Sequence, residues 1–453
     1  MSFPPYDDYS DSGIEWVGIV PRHWSNARLR WLTKRYAGGT PDKARMDYWT
    51  EGTIPWLNSG AVNQSLITEP SAHITEEAFA NSSARWVPSQ ALVMALAGQG
   101  KTKGKVAQLA ISTTCNQSMA AIVPGREIDA RYLFWWLTDN YQNIRNMAGG
   151  DLRDGLNLEL LGDIPCPRPP ASEQTAIAAF VDRETAKIDA LATEQQRLIE
   201  LLKEKRQAVI SHAVTKGLNP TSPMKETGVE WLGEVPKHWG ITRIKHISSQ
   251  VVDCLHKTPT YDGYVEYPAV RTADVERGRL LLEQVRLVSR DVYQERIQRL
   301  APTAGDVLYS REGERFGMAA LVPPGVDLCL GQRMMMFRVI PGMSPGYVMW
   351  TLNSEPVFQQ VMARVAGATS PHVNISDIIN FHLPNPPLSE QIEIAGFVER
   401  ERNRLDALTT EAERAITLLQ ERRSALISAA VTGKIDVRGL ADADASLPDV
   451  VAA

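Results

Sequence analysis

The stretch GIEWVGIVPRHW (residues 13–24) returns as GVEWLGEVPKHW (residues 228–239). Trp16, Gly18, Pro21, His23 and Trp24 reappear as Trp231, Gly233, Pro236, His238 and Trp239, at an offset of 231 − 16 = 215 residues. A second pair, PASEQTAIAAFVDRETAKIDAL (residues 170–191) and PLSEQIEIAGFVERERNRLDAL (residues 387–408), follows at 391 − 174 = 217. A third, EKRQAVISHAVTKG (residues 204–217) and ERRSALISAAVTGK (residues 421–434), closes each copy. Matching flanks around unlike middles predict one scaffold built twice and carrying two different inserts. A period of this length marks a duplicated domain; solenoid repeats span only about 20–50 residues.

The 453 residues are 43% apolar, ordinary for a chain with packed cores. The acidic, turn-rich start MSFPPYDDYSDSG does not read as a signal peptide, and no apolar run approaches a bilayer-spanning length. A cytoplasmic protein is expected. Cys115, Cys166, Cys254 and Cys329 lie far apart without paired spacing, which argues for reduced thiols and against structural zinc. A net charge of −5 counts against a uniformly basic nucleic-acid binder. The charge is uneven, however. Residues 78–126 contain no acid but include Arg85, Lys101, Lys103, Lys105 and Arg126. Such a stretch suits either a phosphate backbone or a solvated hairpin.

Short apolar runs between Gly-rich turns, such as ALVMALA (residues 91–97) and MMMFRVI (residues 334–340), predict buried strands in each globular unit. ARYLFWWLTDNYQNIRNMA (residues 130–148) predicts a helix, so each unit is α/β or α+β. A proline pair precedes Ser172 and Ser389, each followed by Glu and Gln, which predicts serine N-caps. Beyond them Val181, Ile188, Gln195, Leu202 and Val209 recur every seven residues, with Leu191 and Leu198 on the adjoining stripe. Val398, Leu405, Ala412, Leu419 and Leu426, beside Leu408 and Ala415, do the same in the second copy. These stripes predict coiled-coil seams. Tandem repeats related by a pseudo-twofold would run the two helices antiparallel.

Three motifs invite a catalytic reading. ALAGQGKT (residues 95–102) approximates a P-loop, but the following KGKVAQLAI alternates like a strand where a phosphate-holding helix is required. NPPL (residues 385–388) is similar to the base-gripping motif of adenine-N6 methyltransferases, yet Leu388 offers no aromatic face. A polyproline stop ahead of the long helix explains the same residues. His23 and His238 recur with no second ligand at metal spacing, so a structural anchor is expected of them. A monomeric methyltransferase, a P-loop ATPase and a coiled-coil scaffold without DNA specificity stand as the alternative functions.

The two GxEWxGxVPxHW segments, the two PxSEQxxIAxFV segments and the paired closing helices resemble the specificity subunit of a type I restriction–modification system, over the whole chain. The resemblance implies two target-recognition domains (residues 1–171 and 219–388). Each is followed by a long helix (172–218 and 389–435), and a flexible tail (436–453) ends the chain. The helices would form an antiparallel coiled coil. The resemblance also implies a non-catalytic chain that reads a bipartite sequence in double-stranded DNA. It would dock two adenine-N6 methyltransferase subunits and, in the full enzyme, two ATP-dependent restriction/translocase subunits. Methyl donor, ATP and Mg would then sit on those partners, leaving this chain without cofactor or metal.

Base readout needs side chains at groove edges, held in place by phosphate contacts. Aligned turns supply candidates. IPWLNSGAV (residues 54–62) matches YPAVRTADV (residues 267–275), which sets Asn58 and Ser59 against Arg271 and Thr272. Asn favours adenine and Arg favours guanine. Thr40, Lys43 and Arg45 lie opposite His256 and Lys257. Gln99, Lys101, Lys103 and Lys105 lie near the place of Arg311 and Arg315, and Arg153 lies opposite Ser370 and His372.

Overall fold

The computed structural model describes residues 3–98, 101–147, 155–261, 264–313, 315–365 and 373–440. The chain separates into two compact units, Met1–Glu194 with Ala415–Ala453, and Gln195–Arg414. The units are therefore not consecutive stretches. Each takes in part of both long helices, because those segments bury side chains in its own core. Among the described residues no helix is long and apolar enough to cross a membrane.

The first unit is built on strands β1 (Thr33–Ala37), β2 (Ile54–Leu57), β3 (Leu66–Ile67), β4 (Ala72–Ile74), β5 (Leu92–Ala95), β6 (Val106–Leu109), β7 (Thr114–Cys115) and β8 (Met119–Pro124). A five-stranded sheet has the order β1-β8-β5-β6-β3, and a three-stranded sheet the order β7-β2-β4. Helix α1 (Ala130–Asp139) covers one face. Leu92 and Met94 pack with its Tyr132, Leu133 and Trp136. Val93 and Ala95 point the other way, toward Leu57, Val62 and Ile67. Burial on both faces explains why β5 is apolar throughout instead of alternating.

The second unit repeats the plan with β9 (Ser248–Asp253), β10 (Tyr267–Val270), β11 (Leu287–Val288), β12 (Val307–Ser310), β13 (Ala319–Leu321), β14 (Cys329–Leu330) and β15 (Met334–Val339). Its sheets run β9-β15-β12-β13 and β11-β10-β14. Met335 and Phe337 pack with Tyr347 and Trp350 of a covering helix (Pro345–Leu352), while Met334 and Met336 face Val270 and Leu308.

The long helices are α2 (Ala171–Lys216) and α3 (Leu388–Val431), 46 and 44 residues. Both begin one residue before the expected serine. The Pro170 carbonyl accepts from the Gln174 N–H at 3.0 Å, and Pro387 accepts from Gln391 at 3.0 Å. Proline thus occupies the cap position, and Ser172 and Ser389 sit inside the first turn. The glutamines of the SEQ triplets reach back as bolts. Gln174 Nε2 donates to the Pro169 carbonyl and Gln391 Nε2 to that of Pro386, each at 2.9 Å. Gly217 (φ +75°) and Gly433 (φ +72°) follow the helix ends in the left-handed conformation that glycine takes without strain. A Cβ on Gly217 would meet the Trp239 ring at 3.1 Å, and one on Gly433 would meet Pro21 at 2.4 Å.

Val181, Ile188, Leu202, Val398, Leu405 and Leu426 are buried, and Val209 and Leu419 half-buried, along the predicted stripe. The adjoining stripe is not the expected one. Leu191, Leu198 and Leu408 are 53%, 41% and 45% exposed. The inward stripe lies four residues after the first instead of three: Thr185, Ala192, Ile199, Arg206 and Ala213 in α2, and Arg402, Thr409, Ile416, Arg423 and Ala430 in α3. Steps of three and four both lead to a neighbouring stripe on a helix. Two arginines of the inward stripe pair with an aspartate on the other long helix. In the first unit Arg423 meets Asp189 at 2.8 Å, and in the second Arg206 meets Asp406 at 2.7 Å. The tail also differs from expectation at its start. Asp436 N–H donates to the Pro4 carbonyl at 2.7 Å and Val437 is fully buried, so residues 436–440 belong to the first core.

Candidate nucleic-acid interface

Strand register gathers the candidate loops at one end of each unit. In the first, Ala37 pairs with Ala120, Ala95 with Met119, Leu57 with Cys115, and Met94 with Val106. The ends of β1 and β5 therefore meet the starts of β8 and β6, and the end of β2 lies beside the end of β7. Loops 38–45, 58–65, 96–105 and 116–118 leave from that common edge. In the second unit Asp253 pairs with Met335, Ser310 with Met334, and Val270 with Leu330. Loops 254–266, 271–274, 311–318 and 331–333 leave from the corresponding edge.

On the first edge Lys43 and Lys101 are exposed. Arg45 pairs with Asp47 and Glu77 and lies 4.0 Å over the Tyr48 ring. Asn58 is exposed and caps the short turn Ser59–Asn63, its Oδ1 accepting from Gly60 N–H at 2.8 Å; Ser59 is half-buried. Lys105 Nζ donates to Asn63 at 2.9 Å, which ties the two loops together. Lys103, expected to face phosphate beside Lys101, is only 4% exposed. A turn from Thr102 to Lys105, closed at 3.0 Å with Gly104 at φ +84°, breaks the alternation and turns its side chain inward. Gln99 and Arg153 lie outside the described residues.

On the second edge the cations have carboxylate partners. His256 meets Asp253 at 2.9 Å, Lys257 meets Glu295 at 3.8 Å and Arg315 meets Glu276 at 3.6 Å. Arg271 is held by Asp274 at 2.8 Å, and Thr272 is half-buried beside it. The Arg311 side chain is only 3% exposed, between Asp253 and Glu312, both at 3.1 Å. It therefore braces two loops instead of projecting from them. Ser370 and His372 lie outside the described residues. One feature escaped the turn-by-turn alignment. The Thr40 hydroxyl donates to Gln117, and the Thr258 hydroxyl donates to Gln332 at 3.1 Å. NQSM (residues 116–119) against GQRM (residues 331–334), at the repeat offset, carries that signal.

Behind each edge the duplicated histidines and tryptophans grip the start of a long helix. His23 Nε2 lies 2.7 Å from Glu173, and the Trp24 indole donates to the same carboxylate at 3.0 Å. His238 and Trp239 meet Glu390 at 2.7 and 3.0 Å. Tyr132 OH lies within hydrogen-bond distance of the Pro167 (3.0 Å) and Val431 (3.3 Å) carbonyls, and Tyr347 OH repeats this with Pro384 (3.1 Å) and Val214 (3.2 Å). Loops that differ thus stand on contacts that do not.

The family model of the type I restriction modification DNA specificity domain matches residues 21–201. The MjaVIII type I restriction enzyme specificity subunit of Methanocaldococcus jannaschii is 21% identical over 432 residues, 93% of this chain and 95% of that relative. The EcoKI specificity subunit of Escherichia coli K12 is 20% identical, covering 94% and 92%. The chain is similar to type I restriction–modification specificity subunits along most of its length. The EcoR124I/EcoR124II specificity subunit of Escherichia coli is 27% identical over 189 residues, 39% of this chain and less than half (46%) of that one. Among solved structures, a chain from the study of complex assembly and conformational transition of the type I R-M system has a TM-score of 0.69 at 16% identity, covering 91% of this chain and 98% of that one. The HsdS subunit of Thermoanaerobacter tengcongensis has a TM-score of 0.54 at 16% identity, covering 92% and 98%. Both share the fold.

The motifs that invite a catalytic reading sit at strand ends and at a helix start. Lys101 and Thr102 lie in the connection from β5 to β6, two antiparallel strands, and no helix follows them. Asn385 ends a strand paired to Gly240, and Pro387 starts α3. Burial pushes the Cys115 and Cys329 thiols up to about 12, which removes them as nucleophiles near neutrality. Among the described residues no three side chains are grouped to hold a metal ion.

Proposed function

We propose that this chain is the non-catalytic DNA-reading subunit of its restriction–modification system. Each loop-bearing edge takes one half of a bipartite target. The chain positions two adenine-N6 methyltransferase subunits and, in the full complex, two restriction/translocase subunits; methyl donor, ATP and Mg belong to those partners. It acts in the cytoplasm, where the host DNA lies. The observation that carries this reading is the contrast between the two edges. Equivalent loops leave equivalent strand ends in both units, yet present Asn58 in one and Arg271 in the other.

The long helices, in this reading, form an antiparallel coiled coil with an internal pseudo-twofold. The ion pairs support it. Asp189 and Asp406 are repeat equivalents, 406 − 189 = 217, as are Arg206 and Arg423, 423 − 206 = 217. Each arginine takes the aspartate of the other copy, the exchange a twofold interface requires. Tyr132 with Val431 and Tyr347 with Val214 exchange partners in the same way.

Exchanging residues 25–165 for the equivalent segment of a relative tests the proposal. The altered chain, assembled with its methyltransferase subunits, should methylate a motif changed in one half only, as read by methylation-sensitive sequencing. A motif changed in both halves, or in neither, refutes independent reading.

A further inference from the structure

The basic side chains named on the second edge have acidic partners, but one pair is built differently. The Asp274 side chain is 1% exposed and the Arg271 side chain 26%. Asp274 Oδ2 accepts from Arg271 Nε at 2.9 Å and from the Arg271 backbone N–H at 2.8 Å, while Oδ1 accepts from NH2 at 2.8 Å. Burying a carboxylate is costly unless its oxygens are paired. Here every contact it makes goes to the one residue that leaves the end of β10. The stem of that residue is also given room. A Cβ on Gly331 would lie 2.9 Å from Arg271 Cγ and 2.6 Å from the Val270 carbonyl, so a side chain there would drive the arginine aside. The Gly331 N–H donates to that carbonyl at 2.7 Å, which fixes the approach.

A guanidinium has five N–H donors. Asp274 takes the Nε proton and one on NH2. Among the described residues nothing takes the two NH1 protons or the outer NH2 proton, and the NH1/NH2 end presents two parallel donors. That edge complements the O6 and N7 acceptors of guanine in the major groove. An arginine free to rotate could equally meet a phosphate; one gripped along its inner edge has a fixed direction of approach.

We propose that Asp274 is a positioning residue for base readout: it orients Arg271, through the clearance left by Gly331, to take one guanine in the half-site of the second unit. This rests on the DNA-reading function proposed above. It adds the identity of one base and two residues, Asp274 and Gly331, that touch no DNA themselves.

The test uses the full chain assembled with its methyltransferase subunits and duplexes randomised across both half-sites. The wild type should require G at one position of the second half-site. Asp274→Asn keeps the shape, frees the guanidinium and should lower discrimination at that position roughly 5- to 150-fold, the range of one bidentate contact. The other half-site and the affinity for unrelated DNA should not fall. Arg271→Lys should lose the same preference while keeping its charge. The double variant of Arg271→Ala with Asp274→Asn should match Arg271→Ala alone, because Asp274 acts only through Arg271. Gly331→Ala reaches the same prediction without touching the buried carboxylate, should Asp274→Asn fail to fold. Undiminished G preference in both Asp274→Asn and Gly331→Ala overturns the assignment, as does further broadening in the double variant. A wild-type assembly that selects no sequence overturns the DNA-reading function itself, and this assignment with it.

Discussion

Replacing Glu173 by Ala should cost the first unit more than replacing Glu390 costs the second, although the two glutamates are repeat equivalents. Glu173 Oε2 accepts from the Trp24 indole and from the Tyr6 hydroxyl, each at 3.0 Å, and its side chain is 7% exposed. Glu390 has no tyrosine; it holds Trp239 and His238, and its side chain is 35% exposed. Removing Glu173 strands two buried donors at about 1–3 kcal/mol each. His23 is 41% exposed and can turn to water, so it adds little. The total is about 2–6 kcal/mol. Removing Glu390 strands one buried indole beside a gap that water can enter, about 1–2 kcal/mol. The expected difference is therefore about 2 kcal/mol. Two compact units make a single unfolding midpoint a poor measure. Hydrogen exchange at Ile122 in one core and Phe337 in the other reads each separately. Tyr6→Phe should narrow the difference, because it removes the donor that the second unit lacks. Equal costs, or a larger cost at Glu390, would refute the reasoning.

Other outcomes follow from the same contacts. Lys101→Ala should weaken binding to all DNA sequences and lower the salt slope by about one, with the target motif and any ATPase of the assembled complex unchanged; loss of that ATPase would contradict the structural reading of the turn. Burial of Asp139 at the end of α1 raises its carboxyl to about 6, against a lowering hydrogen bond from Ser428 and the charge of Lys434. A raised folded pKa makes stability greatest below the ordinary carboxylate value and lost as pH climbs to about 6. Relative to Asp139→Asn, the wild type should lose about 2–3 kcal/mol between pH 4 and 7, measured by urea unfolding; a constant difference between the two would exclude it. Seven residues added after Arg197 and seven after Arg414 keep the heptad phase, and on the proposed function the gap between half-sites should grow by about 10 Å, roughly three base pairs. An unchanged gap in the methylated motif, with full activity, would show that the helices do not set the spacing.

The duplication, the buried strands and the two long helices were legible because each rests on a periodic or repeated pattern. The inward face of the helices was not. Counting leucines favours Leu191, Leu198 and Leu408, whereas the buried stripe is made of threonine, alanine, isoleucine and arginine. Arginine reads as surface in sequence, and only the aspartate of the other copy explains why Arg206 and Arg423 face inward. The serine caps failed for a related reason. Proline offers no side-chain acceptor, but its carbonyl can take the first helical bond, and no composition rule records that.

At the edges, aligning the copies found the loops but not which side chains leave them. Arg311 is turned inward by Asp253, 58 residues away in sequence, and Lys103 by the turn at Gly104. Asp253 is not visible in local sequence pattern, whereas Gly104 is the next residue, a turn that the alternating reading passed over. The duplication does supply a criterion that single turns lack. A residue identical on both edges cannot tell two different half-sites apart. The Thr40–Gln117 and Thr258–Gln332 contacts are shared by the two edges. On the proposed function discrimination is expected where the copies part, and Asn58 against Arg271 is such a place. There the supports differ as well: a backbone N–H of Gly60 holds Asn58, and a buried carboxylate holds Arg271. On the proposed function each edge carries its own brace for its own side chain, and an exchange of specificity is expected to work only when Asp274 and Gly331 move together with Arg271.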